Sequence, residues 1–126
     1  MNTDIILLHR KLSEAIIGAA MKVLNTLKPG LDEKAYENAL VIELKKRGHQ
    51  VEQQRRFDVF YEGQLVHTMV PDLIVDESLI VDPKVVESFC DTHFAQMPGY
   101  LTITNLRVVL LLNFKFADLR WKRVVH

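Results

Sequence analysis

Apolar residues recur at gaps of three and four along the first part of the chain: Leu12, Ala15, Ile16, Ala19, Ala20, Val23, Leu24 and Leu27. That spacing predicts an amphipathic helix over about 11–27. Ser13 or Asp4 stands near its start, and Pro29-Gly30 stops it. A second helix is expected over about 31–47, with Tyr36, Leu40 and Leu44 as its apolar stripe. Lys45-Lys46-Arg47 suit its last turn, and Gly48 ends it. The pattern then changes. Val51 lies in phase with Phe57 and Val59 over about 50–60, and Tyr61-Glu62-Gly63-Gln64 reads as a turn. A second strand is expected over about 65–75, where Pro71 marks an edge or a bulge. A third covers about 79–86; Leu79, Val81, Pro83 and Val85 face one way, and Ile80, Asp82 and Lys84 the other. Pro83 has no donor for the ladder, which predicts a bulge there. A helical segment over about 88–103 contains Pro98-Gly99, which should kink or restart it. Val108–Phe114 is a continuous apolar run, the mark of a central strand buried on both faces. A short last strand is expected near 121–125. The predicted order is α-α-β-β-β-α-β-β: an α/β fold with a mixed sheet of four to five strands flanked by helices.

Length and composition narrow this only a little. A chain of 126 residues is read as a single domain, 1–126, able to bury a core without staples. Lys plus Arg and Asp plus Glu are both 16, so the net charge is zero. That argues against indiscriminate polyanion binding, which rests on phosphate neutralisation, but leaves room for a local basic patch. Arg55-Arg56 and Arg120, Lys122 and Arg123 are the candidates. The single cysteine, Cys90, forbids an internal disulfide and suits a reducing compartment. Met1–Asp4 is not basic and the Ile5–Leu8 run is too short to span or export, so a cytoplasmic protein with no membrane partner is expected.

The chemistry concentrates in two short strings, Pro71-Asp72 and Asp82-Pro83-Lys84. A turn at Asp76-Glu77-Ser78 would fold the second strand back toward Asp72. Asp82 and Lys84 are two apart, so they share a face. Two carboxylates and an ammonium then converge, an arrangement that suits a hard divalent cation. Asp82 lies among apolar neighbours, where an ionised carboxylate is costly unless paired or metal-bound. A plain salt bridge to Lys84, or exposure at a sheet edge, is the alternative. Lys84 could orient a water or stabilise transition-state charge, or could simply blunt an edge. Glu33 precedes Leu40 by seven residues, close to two full turns, and so points with the buried stripe. It is either a third ligand or a first-turn acid that serves the helix dipole. Glu37, at the stripe's margin, is the reserve. Gln96 and Tyr100 are four apart, with His93 three before Gln96, which puts them near one face. Gln96 and Tyr100 could position a phosphate or a water. His93 lacks a second ligand at metal spacing, and Cys90 reads as a small hydrophobe.

The order Pro-Asp…Asp-x-Lys resembles the signature of the PD-(D/E)xK nuclease superfamily. Gly30-Leu31-Asp32-Glu33-Lys34-Ala35-Tyr36 matches the pattern of the GxxExxY proteins, which are grouped with those nucleases. Ile16–Ala20, Pro29-Gly30-Leu31, Pro71–Val75, Asp82-x-Lys84, Gln96-x-x-x-Tyr100 and Leu110–Phe114 follow in the same order, over roughly residues 10 to 125. The resemblance implies a restriction-endonuclease-like core. It implies a metal pair of Asp72 and Asp82, a helix carboxylate at Glu33, a catalytic Lys84, and a supporting Gln96 and Tyr100. The expected function is a Mg²⁺-dependent (or Mn²⁺-dependent) hydrolysis of phosphodiester bonds in DNA or RNA. The alternative is a catalytically degenerate member that binds nucleic acid or a protein partner, possible as a homodimer. A purely structural interaction module with solvated acids is the third reading.

Overall fold

The three-and-four spacing at the start of the chain becomes helix α1 (Arg10–Leu27), and the Tyr36 stripe becomes helix α2 (Glu33–Lys46). The computed structural model describes residues 9–126; Asp4 and the Ile5–Leu8 run lie outside the described residues. The buried faces are those the periodicity requires: Ile16, Ala19, Ala20, Val23 and Leu24 on α1, and Tyr36, Leu40 and Leu44 on α2. The turn between the helices needs left-handed backbone at Lys28 (φ 67°) and Gly30 (φ 116°). It is stapled by a single side chain. The Tyr36 hydroxyl donates to the Lys28 carbonyl at 2.7 Å and accepts from the Leu31 N–H at 3.1 Å. The Tyr36 ring stacks on Phe114, with centroids 4.9 Å apart and planes within 8°. Asp32 caps α2 by accepting from the Ala35 N–H.

Seven strands follow: β1 (Val51–Gln53), β2 (Phe57–Tyr61), β3 (Gln64–Met69), β4 (Leu73–Val75), β5 (Leu79–Lys84), β6 (Val108–Asn113) and β7 (Arg120–Val125). The strands expected over 50–60 and 65–75 are each cut in two, which corrects the predicted order to α-α-β-β-β-β-β-α-α-β-β. Gln54 breaks the first with a left-handed φ of 58°, and Val70-Pro71 breaks the second. The inner halves, β1 and β4, join a five-stranded mixed sheet of order β1-β4-β5-β6-β7. The outer halves, β2 and β3, form a separate two-stranded hairpin around the Glu62-Gly63 turn. The helical segment restarts, but at Gln96 rather than at Pro98-Gly99: α3 (Asp91–Ala95) precedes it and α4 (Met97–Thr104) follows. Pro98 falls in the first turn of α4, where a missing N–H breaks no helical bond.

The sheet separates two layers. Leu73, Val75, Leu79, Val81, Val108, Leu110 and Leu112 pack on α1 and α2. Ile74, Ile80, Val109 and Leu111 pack on the other face with Met97 and Leu101 of α4. β6 is buried along its whole length, the apolar run Val108–Leu112 and the polar Asn113 alike. It pairs in parallel with β5 and antiparallel with β7. No helix among the described residues is long and apolar enough to cross a membrane.

Tyr36→Phe keeps the stack on Phe114 and removes both hydroxyl bonds of the turn. Chemical denaturation should show a loss of about 1–2 kcal/mol, and a variant as stable as the parent would refute the staple.

Candidate functional site

Register places the acids. β4 and β5 are antiparallel, with Leu73 opposite Val81 and Val75 opposite Leu79. The connecting turn takes left-handed φ at Asp76 (51°) and Glu77 (53°), and closes with a 3.0 Å bond from the Ser78 N–H to the Val75 carbonyl. Continuing the register by one residue brings Asp72 opposite Asp82. Asp82 shares its face with Ile80 of the α4 layer, whereas Glu33 starts α2 in the opposite layer. They meet at the end of the sheet, beyond the carboxyl end of β5. One carboxylate oxygen each from Glu33, Asp72 and Asp82 lies within 4.8 Å of the others. Lys84 Nζ sits 3.4 Å from Asp82 Oδ2, and both side chains are largely buried.

The bulge expected at Pro83 is absent. Asp82, Pro83 and Lys84 pair with Leu111, Leu112 and Asn113 in unbroken parallel register. The Lys84 carbonyl accepts from the Phe114 N–H, so Lys84 faces β6 and Pro83, one residue earlier, turns its missing donor to the other side. There β4 pairing has already ended at Val81. Glu33 also departs from expectation. It stands on the inward side of α2 but at the helix's open end, and is exposed rather than buried. The capping role falls to Asp32, which leaves the Glu33 carboxylate to the acid cluster.

Glu37, the reserve candidate, is the buried acid of α2. It does not join the trio. It accepts from Lys34 Nζ (3.0 Å), Gln53 Nε2 (2.6 Å) and Gln54 Nε2 (3.1 Å). Gln54 links it to the site, because the same amide nitrogen donates to Asp72 Oδ1 at 3.1 Å and the Gln54 N–H donates to the Asp72 carbonyl at 2.9 Å. The strand pattern alone gives no reason to single out Gln54; the signal was an amide doublet in an otherwise alternating segment. Asn113 was hidden inside the apolar run of β6. Its buried amide accepts from the Val86 and Lys115 N–H groups and donates to the Val86 carbonyl, fixing the chain just after Lys84.

Gln96 and Tyr100 stay one helical turn apart despite Pro98-Gly99, since the Tyr100 N–H bonds the Gln96 carbonyl at 3.2 Å. Both line a cavity of about 440 Å³ whose opposite wall is His67 and Thr68 of β3. His93 does not join them; its Nδ1 accepts from the Cys90 N–H at the start of α3.

The electrostatics follow from crowding. Burial pushes the Asp72 carboxyl up to about 6, helped by the Asp82 charge and by the hydrogen bond the two share. Burial also raises Asp82, against the pull of Lys84. Glu33 is raised too: although the residue is exposed, neighbouring groups strip part of the water from its carboxyl, with Lys84 opposing and Asp72 reinforcing. Burial raises the Tyr100 hydroxyl too, and then the charges of Asp82 and Asp72. Oxygens bound to one divalent cation at about 2.0–2.6 Å lie at most about 4–5 Å apart. The trio fits such an ion, which would relieve the repulsion that raises its members.

Folded Asp72 holds its proton to about pH 6, and an unfolded aspartate to about 4. Between those values the folded state binds more protons, so the metal-free protein loses stability as pH rises through the window. Asp72→Asn removes that ionisation. In EDTA at pH 7.5 it should melt a few degrees above the parent, about 1 kcal/mol once solvent screening is allowed for. The difference should close below pH 4, and thermal melts across this range check the sign.

Comparison with known proteins gives one family. A model described as the PD-(D/E)XK nuclease superfamily matches residues 10–124. No curated protein matches the chain. Among solved structures, the crystal structure of an alkaline exonuclease from Laribacter hongkongensis is similar at 10% identity and a TM-score of 0.41, over 85% of this chain and 76% of that one. The family match runs from the start of α1 into β7 and takes in every residue of the acid cluster, and the chain belongs to the PD-(D/E)XK nuclease superfamily.

Proposed function

We propose that this domain is a divalent-metal-dependent nuclease that hydrolyses phosphodiester bonds of DNA or RNA. The observation that carries the reading is the convergence of Glu33, Asp72 and Asp82 within 4.8 Å, with Lys84 at 3.4 Å from Asp82. Those three carboxylates would hold Mg²⁺ or Mn²⁺. When bound, the ion supplies Lewis-acid stabilisation of phosphate charge and a more acidic water.

The chain's own residues supply the rest. Lys84 is held in line by Asp82 and by the β6 register, so its ammonium has a fixed place beside the reacting phosphate. There it offsets charge that grows in the transition state and can take part in moving the water's proton. Gln96 and Tyr100 wall the neighbouring cavity and present an amide and a hydroxyl to a phosphate or to the attacking water. Gln54 holds Asp72 from behind, and Glu37 holds Gln54, so the ligand is oriented by a chain anchored in α2. A bulge at Pro83 or a helix broken at Pro98 would favour the degenerate domain; the β5 register is unbroken and Pro98 sits in a first turn, which leaves the zero net charge on that side.

Asp82→Asn should abolish Mn²⁺ binding in calorimetry and any cleavage of plasmid, single-stranded DNA or RNA. Lys84→Met should keep Mn²⁺ affinity within a few-fold and lower cleavage by about 10²–10⁴. EDTA should silence the parent. Nucleic-acid binding without metal-dependent cleavage would favour the degenerate domain, and a parent that binds no divalent ion would defeat the proposal.

A further inference from the structure

The β2–β3 hairpin stands apart from the main sheet and carries an apolar tip. Its base belongs to the protein: Phe57 packs on the α4 layer, and Met69 is buried. Its outer half does not. Phe60 and Tyr61 are 61% and 67% exposed, and Leu65 and Val66 are exposed beside them. Phe60 pairs with Leu65 and Tyr61 with Gln64, just beyond a register shift after Val59. Neither core contains any of these side chains. Two large rings mostly in water add nothing to either core beyond their cross-strand pairs, and such patches mark contact sites.

The tip is continuous with the cavity that Gln96 and Tyr100 wall, and Tyr100 is the wall residue near enough to feel the charges of Asp82 and Asp72. His67 and Thr68, which wall that cavity opposite Gln96 and Tyr100, are the next residues of β3 inward from Val66. At about 3.3 Å per residue, Leu65 and its partner Phe60 lie about 10 Å from Thr68 along the strand. That is a separation of a few nucleotides of an extended strand. A cavity of about 440 Å³ has the size of a site for one small ligand, a nucleotide rather than a duplex.

Charge points the same way. A grip on duplex DNA draws its strength from neutralised phosphates, and this chain has a net charge of zero. Near the hairpin, Arg55 is engaged with Glu52 and lies over the Phe57 ring at 4.7 Å. Arg56, exposed beside it, adds one cation at the stem rather than a row that tracks a backbone, so contacts to the bases would have to add to it. Exposed aromatic rings provide such contacts when bases are unpaired, because every base offers a face to stack on.

We propose that the β2–β3 hairpin is a stacking arm for unpaired bases, with Phe60 and Tyr61 as its platforms, and that the substrate class is therefore single-stranded nucleic acid. The inference rests on the nuclease reading for its substrate and deepens it. Successive strand residues face opposite ways, so a nucleic-acid strand crossing the tip would meet one ring on each face of the hairpin before it runs along β3 past His67 and Thr68 toward the acid cluster.

Binding is measured by fluorescence anisotropy in EDTA, so that no strand is cut. The probes are a labelled 12-nucleotide DNA strand, the same strand as a duplex, and an abasic strand of equal length. The parent should prefer the strand to the duplex by at least about tenfold, with a shallow salt dependence. Phe60→Ala and Tyr61→Ala should each weaken strand binding by about tenfold, and Tyr61→Phe should not. The abasic strand should bind the parent as weakly as the intact strand binds the double alanine variant. A 2-aminopurine base in the strand should be quenched by the parent and not by the double variant. Equal affinity for strand and duplex, no detectable strand binding, or no loss on substitution would overturn the proposal. So would a parent dimer that the double variant splits while strand binding is unchanged, since the tip would then be an interface between copies. Hydrolysis of bis(p-nitrophenyl) phosphate with Mn²⁺ separates the two readings. The double variant should retain it because that substrate has no strand to stack, whereas Asp82→Asn should lose it. Ring-dependent strand binding without that hydrolysis would leave the arm standing and defeat the nuclease.

Discussion

Asp82 lies near the end of a central strand and is only 5% exposed, and among the described residues Lys84 is the ammonium close enough to answer it. A charge placed there is tolerable only if the fold brings a partner to it, because removing water from an isolated carboxylate costs far more than a domain can supply. Lys84 meets that requirement once. The approach of Asp72 and Glu33 then outweighs it: three acids crowd around Lys84, with Lys34 reaching only Glu33 among them, and loss of water with mutual repulsion raises all three. Such crowding is unfavourable for the metal-free fold and favourable for a cation. If the proposed cation binds there, stability of the metal-free fold and affinity for the ion would be opposed in the same residues.

Each acid is held by a different kind of constraint. Asp82 is fixed by backbone register with β6, continued past Pro83 because that residue's missing donor faces a side where pairing has ended. Asp72 is fixed by an amide, through the paired bonds to Gln54, and Gln54 is in turn fixed by Glu37. The left-handed backbone at Gln54 is strained for a residue with a Cβ, and such strain persists where the surroundings hold it. Glu33 is fixed by the turn before α2, which Tyr36 ties to Lys28 and Leu31 while its ring rests on Phe114 at the end of β6. The same strand thus sets Lys84 from one side and the anchor of Glu33 from the other.

What the sequence made legible was whatever depends on periodicity. The helix faces, the shared phase of Asp82 and Lys84, and the double burial of β6 all follow from 3.6-fold, twofold or unbroken apolar patterns. The splitting of two strands did not, because periodicity is blind to a single left-handed residue. Val51, Phe57 and Val59 keep their phase across Gln54, yet the chain changes sheets there. Gln54 and Asn113 were illegible for another reason. An amide's role is set by what tertiary folding brings within reach, and neither residue has a charge or a spacing that announces it. Glu33 was half legible: the helix period gave its side and the turn before it gave its first-turn position, but neither says that the open end of the helix leaves it exposed to water.

The hairpin and the acids are joined at a narrow stem. The excursion of residues 55–71 leaves the main sheet after Gln54 and returns at Asp72, and those two residues close it with a backbone bond of 2.9 Å and a side-chain bond of 3.1 Å. β1 and β4 pair below the stem, Val51 with Val75 and Gln53 with Leu73. A load on the hairpin tip therefore reaches the sheet through a clamp that already contains a member of the acid cluster. Because the clamp is stitched by both backbone and side chain, the tip can differ in its exposed residues without moving Asp72. On the functions proposed above, a cation would demand one geometry of the acids whereas the arm would need only surface and reach, and the stem lets the two demands be met separately in one small fold.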